Sequence, residues 1–143
     1  MKRCSHWIDG IPHPPSSDRW LPVFNPADAL QFAEVAAGNA SDVEAAVAAA
    51  QRAFPAWSTL ANSQRARWME KLADALEARI DDFARAESLD AGKPFALARD
   101  IEIPRALSNL RLFAHAATQL ASAPHHGEAG LNYTLRTPLG VVA

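Results

Sequence analysis

The sequence predicts an α/β fold, and three observations predict it: short apolar pieces broken by turn formers over residues 1–40, alanine-rich stretches at helical spacing through the middle, and a return to strand-like alternation from Leu131 onward. Trp7-Ile8 leads into Asp9-Gly10, a strong two-residue hairpin signal because both positions tolerate positive φ. Trp20-Leu21-Pro22-Val23-Phe24 runs into Asn25-Pro26, and Leu30-Gln31-Phe32-Ala33-Glu34-Val35 follows, so two or three short strands are expected. Pro12, Pro14, Pro15 and Pro22 cannot donate ladder hydrogen bonds, which restricts this sheet to edge positions or extended loops.

The period changes at Ser41. Ser41-Asp42-Val43-Glu44 reads as a capping box that opens a helix, with Val43, Val47, Ala50 and Phe54 on one face and Pro55 as its stop. A second helix begins near Asn62 or Ser63, with Trp68, Leu72, Leu76 and Ile80 every four residues, and Asp81-Asp82 opens a further turn or two reaching about Ser88. Gly92 supplies a C-cap, and Pro94 suits the first turn of the next helix because its missing N–H would be unpaired there. That third long helix carries Phe95, Ala98, Ile101, Leu107, Leu110, Phe113 and Leu120. Pro104 interrupts it, so a kink or register break is expected near Ile101. Residues 123–130 read as a loop, Leu131 to Arg136 as an alternating strand, and Val141-Val142-Ala143 as a buried strand cut short, which points to a fragment of a longer protein.

Composition bounds the function. The chain has 143 residues, 49% hydrophobic and 21% charged, with 31 alanines, which fits one helix-rich soluble domain. Sixteen acidic against 14 basic residues leave no positive field for nucleic acid or anionic lipid. No run approaches the roughly 18 apolar residues of a membrane span, and Met1 to Trp7 lacks the apolar core of a signal peptide. Cys4, the only cysteine, excludes an intrachain disulfide and half of a cysteine metal site; it lies in a terminus expected to be disordered and reads as an inert thiol in a reducing, cytoplasmic protein. The five histidines show no i, i+4 pair, His125-His126 falls in the expected loop, and neither a glycine-rich phosphate loop nor a nucleophile elbow is present.

Several small elements in order carry a family resemblance. These are Asp9-Gly10, Phe24-Asn25-Pro26-Ala27, Ser41-Asp42-Val43 with Ala45-Ala46-Val47, Ala53-Phe54-Pro55-Ala56-Trp57, Arg65, Leu89-Asp90-Ala91-Gly92-Lys93-Pro94, and Tyr133-Thr134 with Arg136 and Pro138-Leu139-Gly140-Val141-Val142. Over residues 8 to 143 the chain resembles the opening of an aldehyde dehydrogenase. Ala96-Leu97-Ala98-Arg99-Asp100-Ile101, Ile103-Pro104-Arg105 and Asn109-Leu110-Arg111 with Phe113-Ala114 are similar to the branch that oxidises 2-aminomuconate or 2-hydroxymuconate semialdehyde.

The resemblance implies the N-terminal part of the aldehyde dehydrogenase fold: residues 1–128 as the start of the cofactor-binding domain, 129–137 as an oligomerisation strand, and 138–143 as the truncated first strand of the Rossmann-like core. It implies oxidation of an aldehyde, a small-molecule substrate, to the acid with NAD, or with NADP. The reaction runs through a thiolate, a general-base glutamate and an oxyanion-holding asparagine, none of which this segment contains. Arg105 and Arg111 are the candidates for a clamp on a remote substrate carboxylate, Arg105 first, because Pro104 just before it distorts the helix and can turn its guanidinium, whose planar fork matches a carboxylate bidentately, toward the family's substrate tunnel. Asp90, with the backbone carbonyls of Val23 and Phe24, is the candidate site of a structural monovalent cation. Trp57, Arg65 and Lys93 are assigned to packing and ion pairing. Pairing of Leu131 to Arg136 with a neighbour implies a homodimer or homotetramer. The alternative from another class is a stand-alone helical protein-interaction module without catalysis.

Overall fold

The computed structural model describes residues 2–119, 124–128 and 130–142. Leu120 of the third helical stretch, Ala123 and Ala129 of the expected loop, and the terminal Ala143 lie outside the described residues. Five short strands come first: β1 (Lys2–Cys4), β2 (His6–Ile8), β3 (Ile11–His13), β4 (Trp20–Phe24) and β5 (Gln31–Ala36). β2 and β3 form the expected hairpin, with Ile8 opposite Ile11 and the turn residues Asp9 and Gly10 at φ 55° and 78°. β5 is the centre of a separate three-stranded sheet, antiparallel to β4 and parallel to β1. The N-terminus is therefore ordered where the sequence suggested disorder: Cys4 pairs with Val35 in β1 and is exposed there as a free thiol. Arg3 supports the pairing from its side chain, donating to Glu34 of β5 at 2.9 Å and stacking its guanidinium over Trp20 of β4.

The first helix, α1 (Ala40–Ser58), begins and ends differently from the expectation. Its cap is Asn39, whose side chain accepts from the backbone N–H groups of Ser41 and Asp42, while the Asp42 carboxylate returns to the N–H of Asn39 at 3.0 Å. The capping box thus lies two residues upstream of the one read at Ser41 and Glu44. The arrangement also buries Asp42, which accepts from the backbone N–H of Ser16 at 3.0 Å. Those two backbone donors, Asn39 first, hold its carboxyl below the usual carboxylate range. Pro55 does not stop the helix. The turn beyond it closes because the hydroxyls of Ser58 and Thr59 both donate to the Pro55 carbonyl at 3.1 Å.

Three further helical stretches build the body: α2 (Asn62–Glu77), α3 (Ile80–Ala91) and a continuous run of α4 (Phe95–Leu97), a π turn (Ala98–Glu102) and α5 (Ile103–Thr118). The single long helix expected from Ser63 to Ile80 breaks at Ala78-Arg79, and α3 then runs past Ser88 to Ala91. Gly92 ends α3 at φ 69°, as expected, and a Cβ there would meet Pro26 Cβ at 3.0 Å, so the close approach needs glycine as well as the left-handed turn. The break expected near Ile101 is the π turn: the N–H of Ile103 bonds back five residues to Ala98, and Pro104 falls where no donor is required.

The packing faces are alanine faces. α2 packs on α5 and α3 on the π turn, and the buried residues of these elements are Ala66 and Ala73 of α2, Leu107 and Ala114 of α5, Ala84 of α3 and Ala98 of the π turn. Trp68 and Leu72, read as the core face of α2, are instead exposed, as are Val43 and Val47 of α1. Small side chains let helix axes approach closely, so the larger apolar residues of the same helices are turned outward. At the other end, His125–Gly127 (β6) pairs with Gly130–Asn132 (β7), giving a short hairpin in place of the expected loop. Tyr133 to Arg136 and Val141-Val142 belong to no sheet among the described residues.

Candidate functional site

The two arginines singled out from the sequence lie six residues apart on α5 and have different surroundings. Arg111 is tied down: its Nη2 donates to Asp74 at 2.9 Å and to Glu77 at 2.6 Å, both on α2. Those carboxylates, Glu77 first, raise its already high pKa and keep it charged, so the guanidinium serves as a bridge between α2 and α5. Arg105 sits in the first turn of α5, exposed, and makes no hydrogen bond or ion pair with any described residue. Of the two, only Arg105 offers a guanidinium fork to an incoming carboxylate.

The segment that leads to Arg105 is held by two ion-pair systems that sequence reading only partly anticipated. Lys93, part-buried just beyond the Gly92 cap, donates to Glu87 of α3 at 2.8 Å and to Glu102 of the π turn at 2.6 Å. The two carboxylates, Glu102 first, push its pKa up. Ser88 Oγ adds a bond to the Lys93 carbonyl at 2.7 Å. Arg99, inside the π turn, donates to Asp81 of α3 at 2.8 Å and to its neighbour Asp100 at 2.9 Å. Ion pairing was expected of Lys93, but no sequence signal identified Glu102 or Arg99 as partners, because the pairs span α3 and the π turn rather than one helix face.

Asp90 is exposed near the C-terminal end of α3 and makes no hydrogen bond or ion pair with a described residue; it neither caps the helix nor meets Lys93. The contact between Gly92 and Pro26 brings the loop after β4, and so the neighbourhood of Val23 and Phe24, toward that end of α3. Among the described residues no group of three or more His, Cys, Asp or Glu side chains could hold a metal ion, so a cation here would depend on backbone carbonyls. Arg65 is a positioning group: it donates to the Leu60 carbonyl at 2.9 Å and to Asn62, whose own amide reaches the Ala117 carbonyl of α5 at 3.0 Å. Trp57 and Arg65 line, with Phe54 and Thr134, a groove of about 540 Å³ that includes neither Arg105 nor Asp90.

No helix is long and apolar enough to cross a membrane, among the described residues. Human 2-aminomuconic semialdehyde dehydrogenase is 38% identical over 140 residues, covering 95% of this chain and 28% of that protein. The 2-hydroxymuconic semialdehyde dehydrogenase of Pseudomonas sp. strain CF600 is 36% identical over 148 residues, covering 99% of this chain and 30% of the other. Among solved structures, PnpE in complex with nicotinamide adenine dinucleotide superposes with a TM-score of 0.86 at 37% identity, over 91% of this chain and 27% of that one. The chain therefore spans less than a third of the length of these relatives, and it matches the N-terminal part of their fold. The model of the aldehyde dehydrogenase family matches residues 13–143, nearly the whole sequence, and with the fold and the relatives in agreement the chain belongs to that family.

Proposed function

We propose that the protein to which this chain contributes oxidises a semialdehyde bearing a remote carboxylate to the corresponding acid, with NAD or NADP as hydride acceptor. The observation that carries this reading is the unpaired, exposed Arg105, in a chain whose relatives include dehydrogenases of 2-aminomuconic and 2-hydroxymuconic semialdehydes. A planar guanidinium free of internal partners binds a carboxylate through two parallel charged hydrogen bonds, which orients the substrate as well as holding it. The cofactor supplies the two-electron oxidation; this chain supplies the clamp and the frame that aims it. Family membership favours this reading over a helical interaction module without catalysis. The test is an assay of NADH or NADPH formation by the enzyme containing these residues, with 2-hydroxymuconate semialdehyde against hexanal. A kcat/KM at least about tenfold higher for the charged substrate is expected, and equal values would reject the clamp.

The reading extends to assembly and to a cation. Leu131, Tyr133 and Leu135 are 57%, 68% and 75% exposed on alternate positions, and the residues after Asn132 have backbone groups outside any ladder. Pairing of this segment with a second copy would extend the ladder and cover those side chains, so a homodimer or homotetramer is expected. Sedimentation of the enzyme as a monomer at micromolar concentration would overturn the assignment. A structural monovalent cation at Asp90 with the Val23 and Phe24 carbonyls is kept in the reading, supported by the free carboxylate and by the packing of Pro26 on Gly92.

A further inference from the structure

We propose that Lys93 is a positioning residue for substrate recognition: through Glu102 it holds the π turn that rotates Arg105 out of a packing face and into the clamp position. This rests on the reading of Arg105 given above.

The argument is geometric. An α-helix turns about 100° per residue, so in an uninterrupted helix Arg105, seven residues beyond Ala98, would lie within about 20° of it. Ala98 is wholly buried in the π turn, which packs on α3, where Ala84 is wholly buried too. An unbroken helix would therefore turn Arg105 toward the side of the helix that faces α3, about 10 Å further along its axis than Ala98. A π turn accommodates one extra residue, which rotates everything downstream by about 100°. The same shift explains the burial pattern. Ala98 and Leu107, nine residues apart, would be on opposite sides of a regular helix; with the insertion they fall within about 80°, and both are buried, one toward α3 and the other toward α2.

A π turn has poorer hydrogen-bond geometry than the α-helix around it, so it persists where something else holds it. Pro104 removes the donor that a regular helix would direct to Asp100, which permits the shift but does not fix its direction. The fixing comes from α3. Lys93 joins Glu102, the last residue of the π turn, to Glu87, and Arg99 joins the second residue of the turn to Asp81. Lys93 is the more consequential of the two, since it is the better buried and lies three residues before Arg105 through Glu102. Its own backbone is fixed by the Gly92 cap against Pro26 and by Ser88.

The test measures, in the full-length enzyme, kcat and KM for 2-hydroxymuconate semialdehyde and for hexanal in Lys93→Met, Glu102→Gln, Arg105→Ala and the Lys93→Met/Arg105→Ala double variant. The expected result is that Lys93→Met and Glu102→Gln each lower the charged-to-neutral ratio of kcat/KM by about 3- to 10-fold, mainly through KM for the charged substrate. In the Arg105→Ala background, Lys93→Met lowers that ratio no further, because both changes remove the same interaction. If both aldehydes lose activity alike, or if the Lys93 effect persists without Arg105, Lys93 supports only the fold and the inference is overturned. Should Lys93→Met fail to accumulate, Glu102→Gln, which keeps the side-chain shape, decides by the same ratio. An Arg105→Ala enzyme with an unchanged ratio rejects the clamp itself, and with it this inference. A changed ratio in Arg105→Ala beside unchanged ratios in the Lys93 and Glu102 variants rejects only the positioning role.

Discussion

Replacing Arg105 with alanine should lower the charged-to-neutral ratio of kcat/KM by about ten- to a hundredfold, since a charged hydrogen bond contributes roughly 1.5–3 kcal/mol. The loss should appear in KM for a carboxylate-bearing semialdehyde, because the interaction with a remote carboxylate is made in the ground state and the transition state alike. Arg105→Lys should recover only part of it, as an ammonium cannot offer two parallel donors to one carboxylate. Arg111→Ala is the control. Arg111 is spent on Asp74 and Glu77, so its loss leaves two carboxylates on α2 without their cation and loosens the contact between α2 and α5. Its signature should be a lower melting temperature with the substrate ratio unchanged. Equal losses on both aldehydes in Arg105→Ala, measured by steady-state kinetics, would return Arg105 to the fold and leave the substrate class to similarity alone.

The sequence pattern reached the elements more readily than the faces they present. Turn chemistry is local, so Asp9-Gly10, the Gly92 cap and the break ahead of Pro104 were all legible, each from one or two residues whose backbone preferences admit few alternatives. The capping box slipped by two positions because Asn39, Ser41 and Asp42 all carry capping side chains; burial of Asp42 beneath Ser16, a contact 26 residues distant, decides among them. The largest apolar residues do not mark the buried faces of α1 and α2, where alanines are buried and Val43, Val47, Trp68 and Leu72 are exposed. Periodicity identifies an apolar stripe, but a helix with apolar groups on two sides has two, and only tertiary contacts say which one a given neighbour takes. β1 is illegible in the sequence for a related reason: Lys2-Arg3-Cys4 has no strand pattern of its own and is recruited by the edge of β5. The ion pairs from Lys93 and Arg99 cross between elements, so neither spacing nor charge runs could reveal them.

The alanine faces lead to the second large effect. A polypeptide of residues 1–143 alone should retain helical structure but lack a cooperative unfolding transition. Among the described residues the buried apolar side chains are eight alanines and Leu107, and no large side chain is fully buried. An alanine methyl contributes about 0.8 kcal/mol when removed from water, whereas fixing the backbone of each residue costs about 1–2 kcal/mol, so such a core cannot by itself hold so many ordered residues. The surface that could make up the difference is turned outward: Trp68 and Leu72 on α2, Leu112 and Phe113 on α5, Val43 and Val47 on α1. In the intact protein these faces are expected to lie against the rest of the fold. Without it they favour dye binding and self-association. Far-ultraviolet circular dichroism should therefore show helix while the near-ultraviolet signal is weak. Heating should give a broad drift rather than a heat-absorption peak, and a hydrophobic dye should fluoresce in proportion to protein concentration. A monomer with a sharp calorimetric transition would mean that the alanine contacts and the ion pairs around Lys93, Arg99 and Arg111 suffice, and that the outward-facing aromatic residues serve something other than packing against the remainder of the enzyme.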